Sequence, residues 1–339
     1  MKGAALHPEL ADDAGAAPAT GGGRNRKALA LKIGVSAALI AWILSDADLA
    51  AVWASLAAVD PGWLALALAS QVVGAALIAF RWGGLLALKG VAPGFPYLLG
   101  STVSASFFRQ FLPSIVGGDA IRGYDAWRAG ASPGLAAVSL VVDRLLGLTA
   151  LAVFALIALS LFEPLNAAVP GVRLWVALGL VCVVGALALM LIPGLRAPRP
   201  ILALHAAAPS AITRRVDAVV EAVGAFRGEG GGVLRAFGLS LLIQINVVSS
   251  YWLLSQALGL GIDYADFYVI VPVAVFVMMA PITINGVGLR EAIFIFLLAI
   301  WGIGEPQALA FAWLEYAVYL VFGLAGGVVY ALRRGGRRG

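Results

Sequence analysis

The sequence predicts an all-α, polytopic membrane protein, and three observations carry the prediction. Of 339 residues, 62% are hydrophobic and only 12% are charged, a balance that ordinary soluble domains do not show. Several apolar runs reach the ~20 residues that a helix needs to cross a bilayer. Two of these regions are broken in the same way: Pro113–Arg122 and Pro281–Arg290 both read P-x-x-[VI]-x-G-x-x-[IL]-R. Paired Gly/Pro interruptions at corresponding places in two halves are the mark of an inverted-repeat transporter. The expected architecture is six full spans plus two re-entrant helical hairpins in an inverted repeat, with both termini cytoplasmic.

Residues 1–27 form an Ala/Gly/Pro-rich tail without an apolar core, expected to be disordered and not a signal peptide. The first repeat, 28–162, opens with a span over 28–45 whose flanking bases Arg24, Arg26, Lys27 and Lys32 place the N-terminus inside. The next loop carries Asp46, Asp48 and Asp60 with no Lys or Arg, so it is predicted to face outward. Within it Leu49–Val59 reads as a short amphipathic helix with Val52, Trp53 and Leu56 on one face. A second span over 62–80 ends at Arg81-Trp82, a base and an indole suited to the inner interface. The first hairpin, 96–130, contains Arg109 and the broken stretch, and a long span over 135–162 closes the repeat.

The second inverted repeat, 163–332, begins with a span over 173–193. The loop 194–235 holds Arg196, Arg199, Arg214, Arg215, Arg227 and Arg235, the densest basic region and the strongest cytoplasmic marker. Its middle, Ala211–Phe226, has apolar residues at helical spacing, as an interfacial amphipathic helix has. A span over 236–260, the hairpin 264–303 and a last span over 307–332 lead to a basic cytoplasmic tail, 333–339. Each half thus contributes three crossings, so the halves are predicted to be opposed in the membrane.

The chemistry of the breaks points to anion binding. Gly117 and Gly118 permit close backbone approach, and Asp119 can cap the helix that follows. A helix starting near the bilayer midplane presents free N–H groups and a positive dipole end. Thr283, Asn285, Gly286 and Gly288 can do the same in the second half. Arg122 and Arg290, one turn into their helices, have the planar fork that suits phosphate. Counting residues from the turn at 131–133 puts Arg122 and Asp143 at similar depth, so they can pair. Exchanging the two should then partly restore what either single change destroys. Arg144 needs a different partner or the cavity, Glu291 follows Arg290, and Glu315 is the matching acid for Arg290. Arg109 lies deep in the first hairpin and can line the same cavity, whereas Gln71, Gln244 and Asn246 are expected to bridge helices.

Other chemistry is excluded or unsupported. The single Cys182 lies in an apolar run, and His7 and His205 fall outside the spans, so no metal site or cofactor is expected. There is no Ser/His/Asp set and no phosphate-binding P-loop. Nothing resembles a nucleic-acid footprint.

Three ordered motifs resemble the lysylphosphatidylglycerol synthase transmembrane (flippase-like) family. They are Leu112-Pro113-Ser114 with Gly117-Gly118-Asp119 and Arg122, then Asp143-Arg144-Leu145-Leu146-Gly147, then Asn285-Gly286-Val287-Gly288-Leu289-Arg290-Glu291. Arg81-Trp82 also resembles a recurrent pair in that family. The resemblance implies a region that flips aminoacylated or otherwise modified phospholipid in the bacterial or archaeal cytoplasmic membrane. The chain as read stops at Gly339, which points to lipid movement without the C-terminal synthase domain. The expectation is a translocase for an anionic, aminoacylated or glycosylated lipid. The alternatives are a membrane-embedded glycolipid or prenyl-lipid transferase, and a non-transporting partner of a lipid-biosynthetic enzyme.

Overall fold

The computed structural model describes residues 22–111, 117–161, 171–191, 213, 224–279, 282–283 and 286–335. Every regular element among them is a helix. In chain order these are α1 (Gly22–Asp46), α2 (Leu49–Ala57), α3 (Pro61–Ala87), α4 (Phe95–Phe111), α5 (Gly117–Arg128) and α6 (Pro133–Leu161). There follow α7 (Val172–Leu191), α8 (Gly230–Ala257), α9 (Phe267–Met278), α10 (Leu289–Ala299) and α11 (Glu305–Gly335). Residues 1–21 of the predicted tail, both motif prolines, Asn285 and nearly all of 192–223 lie outside the described residues.

Helices α3, α6, α8 and α11 are long and apolar enough to cross a membrane. A fifth crossing is available if α1 and α2 act as one span, although Ile33–Ser45 and Leu49–Ala57 meet at 91°. The short helices flank the two breaks. At 17 and 12 residues, α4 and α5 extend about 26 and 18 Å at 1.5 Å per residue, short of a ~30 Å hydrocarbon core. Helices α9 and α10, of 12 and 11 residues, are shorter still than α4.

Local chemistry sets the helix starts. Asp48 accepts the Ala51 N–H at 3.0 Å and begins α2. Asp60 accepts the N–H groups of Gly62 (2.8 Å) and Trp63 (3.0 Å), and Pro61 supplies a first-turn residue with no N–H to orphan. Two of the three acids between the first two apolar runs, Asp48 and Asp60, are therefore helix caps. At α10 the chain turns through Gly288 at φ 84°, where only glycine sits without strain, and the Gly288 N–H donates to Glu291 Oε2 at 2.7 Å.

The largest apolar cluster draws Ala67, Leu254, Ile270, Phe294, Leu297 and Phe311 from α3 and α8–α11. A second joins Leu85, Val142, Leu146 and Phe226, and a third packs Trp82, Leu86, Leu98, Ala126 and Leu140. Apolar side chains such as Trp42, Phe80, Val181, Leu242 and Val328 remain exposed, as a lipid-facing surface requires.

Glycine sets the closest crossings. A Cβ on Gly118 would lie 2.7 Å from the Ala105 carbonyl oxygen, so α5 folds back tightly against α4. A Cβ on Gly326 would lie 2.2 Å from the Val103 carbonyl oxygen, so α4 and α11 touch backbone to backbone.

Two surface expectations are corrected. Val52 is buried while Trp53 is 72% exposed, because neighbouring residues on a helix lie about 100° apart and only Val52 and Leu56 share the packed face. Phe226, placed by periodicity on an interfacial helix, is fully buried beside Leu85 and Val233, with Lys89 Nζ 5.4 Å from its ring centroid.

Candidate functional site

Asp143 is the hub of the first half. It lies on α6, 2% exposed, and both carboxylate oxygens are used. Oδ1 accepts Arg81 Nε at 2.7 Å, and Oδ2 accepts Arg122 Nη2 at 3.1 Å. Arg81 also donates from Nη1 to Ser240 Oγ on α8 at 2.7 Å, tying α3, α6 and α8 together. The Arg122 guanidinium lies 4.5 Å from the Trp82 ring centroid, while Trp82 Nε1 donates to Ser139 Oγ at 3.2 Å. Burying such charges costs several kcal/mol each unless they are paired and hydrogen-bonded. Here the pairing is mutual.

Asp119, in the first turn of α5, continues the network. Its Oδ1 is 3.8 Å from Arg122 Nη1, one turn away, and its Oδ2 accepts Arg144 Nε. A carboxylate at a helix N-terminus also meets the positive dipole end. Asp119 is thus an internal counter-ion for two arginines.

The second half repeats the plan with different residues. Arg290, in the first turn of α10, pairs with Glu315 on α11 at 2.9 Å, and Tyr251 Oη donates to Glu315 Oε1 at 2.7 Å. The Arg290 guanidinium lies 4.8 Å from the Tyr316 ring centroid. Glu291 is taken up by the Gly288 cap. Thr283 is 7% exposed, and its hydroxyl has no hydrogen-bond partner among the described residues. Gly286, at φ 78°, accepts the Arg290 N–H through its carbonyl at 2.7 Å.

Between the two networks lies a cavity of about 210 Å³ enclosed by α3, α4, α8 and α11. Its polar lining includes Gln71, Thr102, Arg109, Asn246, Ser250 and Tyr319. Gln71 sits ten residues into α3, about 15 Å along the axis, which places the cavity near mid-depth. Gln71 Nε2 donates to Ser250 Oγ at 2.9 Å and Asn246 Nδ2 to the Ser70 carbonyl at 3.1 Å, so these amides bridge α3 and α8. Gln244 likewise bridges α8 and α6 through the Gly147 carbonyl at 3.3 Å. Thr102 is 3% exposed, with its hydroxyl unpartnered among the described residues.

Arg109 differs from the other motif arginines. Its side chain is exposed to the cavity, and among the described residues its guanidinium makes no ion pair or hydrogen bond. It feels Arg122, Asp119 and Arg144 electrostatically. Among the described residues, Arg109 and three further arginines (81, 122 and 144) accompany two aspartates (119 and 143), a local excess of positive charge. In a low-dielectric interior such an excess attracts an anion.

The broken segments, the Asp143 hub and the cavity all fall inside the match to a family model described as the lysylphosphatidylglycerol synthase TM region, which covers residues 29–327. The chain belongs to this family. No curated protein matches it. Family membership and the four apolar helices make this lysylphosphatidylglycerol synthase TM-region chain a multi-pass membrane protein tied to lipid handling.

Within this lysylphosphatidylglycerol synthase TM region, the structure gathers Gly117, Gly118, Asp119, Arg122, Asp143, Arg144 and Arg109 around the start of α5. It gathers Thr283, Gly286, Arg290, Glu291 and Glu315 around the start of α10. Arg81-Trp82 does not face outward from the helix bundle: the residues are 5% and 0% exposed. The position of that pair at the end of an apolar run suggested an anchor, whereas its place on the packed face of α3 makes it part of the charge network. Tyr251 was not singled out in sequence. The helical spacing of Ser240, Gln244 and Tyr251 along one stripe of α8 is the signal that finds it.

Proposed function

We propose that the protein moves a lipid with an anionic headgroup between leaflets, the phosphate passing through the Arg109 cavity while the acyl chains stay in the membrane. The observation that carries this reading is Arg109, which lines a mid-depth polar cavity and makes no ion pair among the described residues. Arginine at that depth is expensive, and intramembrane charges mark substrate pathways. Arg122 and Arg290 are engaged by Asp143 and Glu315, so in this reading they hold the helix starts in place and supply field, and Arg109 contacts phosphate directly. The Thr102 hydroxyl offers a further donor to the same ligand.

The topology belongs to the same proposal. The α4–α5 and α9–α10 segments are re-entrant hairpins entering from opposite faces, with both termini and the basic 194–235 loop on the cytoplasmic side. Two parallels support it: each short helix after a break carries an arginine in its first two turns, and each arginine pairs with an acid on the following long helix. The charge distribution over the loops agrees with the positive-inside rule. The substrate would come from a lipid-biosynthetic enzyme of the same membrane.

The test is leaflet exchange of fluorescently labelled phosphatidylglycerol in liposomes containing the purified chain. Exchange above protein-free liposomes is expected, falling at least tenfold in Arg109→Ala and partly recovering in Arg109→Lys. A folded Arg109→Ala protein that exchanges at the parent rate overturns the assignment. A covalently altered lipid without exchange would turn the reading to a transferase.

A further inference from the structure

We infer that the outer groove between α5 and α6 is a docking site for an anionic phospholipid, separate from the Arg109 cavity. The groove has a volume of about 600 Å³, within the roughly 300–1,000 Å³ range of ligand clefts. It runs from Trp127 and Pro133, beside the α5–α6 turn, to Asp119 and Arg144. Arg144 lies eleven residues into α6, about 16 Å from Pro133 along the axis, too deep for its side chain to reach the turn.

The lining fits a lipid at both ends. Ala120 and Ala137 on the facing helices are small and exposed, leaving room for a chain. Near the turn, Tyr124 and Trp127 are 50% and 51% exposed, with ring centroids 5.8 Å apart. Amphipathic aromatics so placed belong at the lipid–water boundary. At the deep end the Arg144 side chain is 43% exposed although it pairs with Asp119. A half-exposed charge facing hydrocarbon is costly, and a lipid phosphate offers a bidentate acceptor for the guanidinium. The excess of arginine over aspartate around Asp119 selects an anionic lipid over a neutral one.

Asp119 lines this groove and interacts electrostatically with Arg109, so a phosphate at Arg144 lies one exchange of partners from the cavity. That hand-over rests on the translocation reading. Occupancy of the groove does not depend on it.

The experiment is native mass spectrometry of the full chain released from mixed micelles containing equal phosphatidylglycerol and phosphatidylcholine. One phosphatidylglycerol is expected to be retained preferentially, with retention at least fivefold lower in Arg144→Gln. Ala137→Trp, which fills the groove at a lipid-facing position and leaves the ion pairs untouched, should lower it similarly. No preference for phosphatidylglycerol in the parent protein, or parent-level retention in a folded Ala137→Trp protein, overturns the site. Run alongside leaflet exchange, the measurement separates the two proposals. Retention without exchange in the parent protein sinks translocation and leaves the groove, whereas exchange without selective retention sinks the groove alone.

Discussion

At the scale of single residues, the informative contrast is between Arg81 and Arg122, which Asp143 engages, and Arg109, which makes no ion pair among the described residues. Asp143 serves Arg81 and Arg122 together. Asp143→Ala therefore strands two buried guanidinium groups, and a loss of about 3–5 kcal/mol or more is expected, as when one partner of a buried pair is removed. Thermal unfolding in detergent measures it. The double change Arg122→Asp with Asp143→Arg should not recover stability, because the new arginine would lie against Arg81, now 2.7 Å from the carboxylate. Recovery to near the parent midpoint would show that Arg81 contributes little. Sequence depth counting found the Arg122–Asp143 pair but missed Arg81, since a base at the end of an apolar run looks interfacial until its helical face is known.

At the scale of elements, backbone proximity dominates. Helices in lipid gain little from apolar burial against one another, so close approach through small residues matters more than in water. Gly118 lets α5 lie on α4, and Gly326 lets α4 lie on α11. Gly326→Ala would put a methyl 2.2 Å from the Val103 carbonyl, and the helices would have to separate. An overpacking cost of about 1–3 kcal/mol is expected. Gly179→Ala, whose added Cβ meets nothing within 4 Å, should leave the unfolding midpoint essentially unchanged. Equal effects would show that the α4–α11 contact does not limit stability. The broken motifs announced the short helices in the sequence. The glycines of α11 did not stand out there, because a glycine in an apolar run looks the same whether it faces lipid or a neighbouring backbone.

At the scale of the molecule, the two halves share a plan and differ in charge. Both place an arginine on a short helix against an acid on the next long one. The residue four before the motif proline, however, is Arg109 in the first half and Val277 in the second. The repeat was legible because its proline, glycine and arginine spacing survives in the chain. The asymmetry mattered only once the cavity showed where Arg109 points. The proposed opposed halves predict a labelling pattern. With the single Cys182 replaced by Ser, a cysteine at Gly228 should react with a membrane-impermeant reagent only from the cytoplasmic side, and one at Gly261 only from outside. Labelling of both from one face would remove the topology.

The α4–α11 contact has one more consequence. Two backbones in contact at Gly326 leave no slack for one rod to slide along the other, and the contact continues on both sides of it, with Gly323 against Gln110 and Gly100 against the Arg333 side chain. Beyond that point α11 reaches Arg333, which pairs with Asp125 of α5 at 2.9 Å and lies over the Tyr97 ring. On the other side lie Tyr319 and the Arg109 cavity. The Arg333 clasp and the wall of the Arg109 cavity thus sit on one continuous zip between α4 and α11, and a displacement at either end is resisted along its whole length.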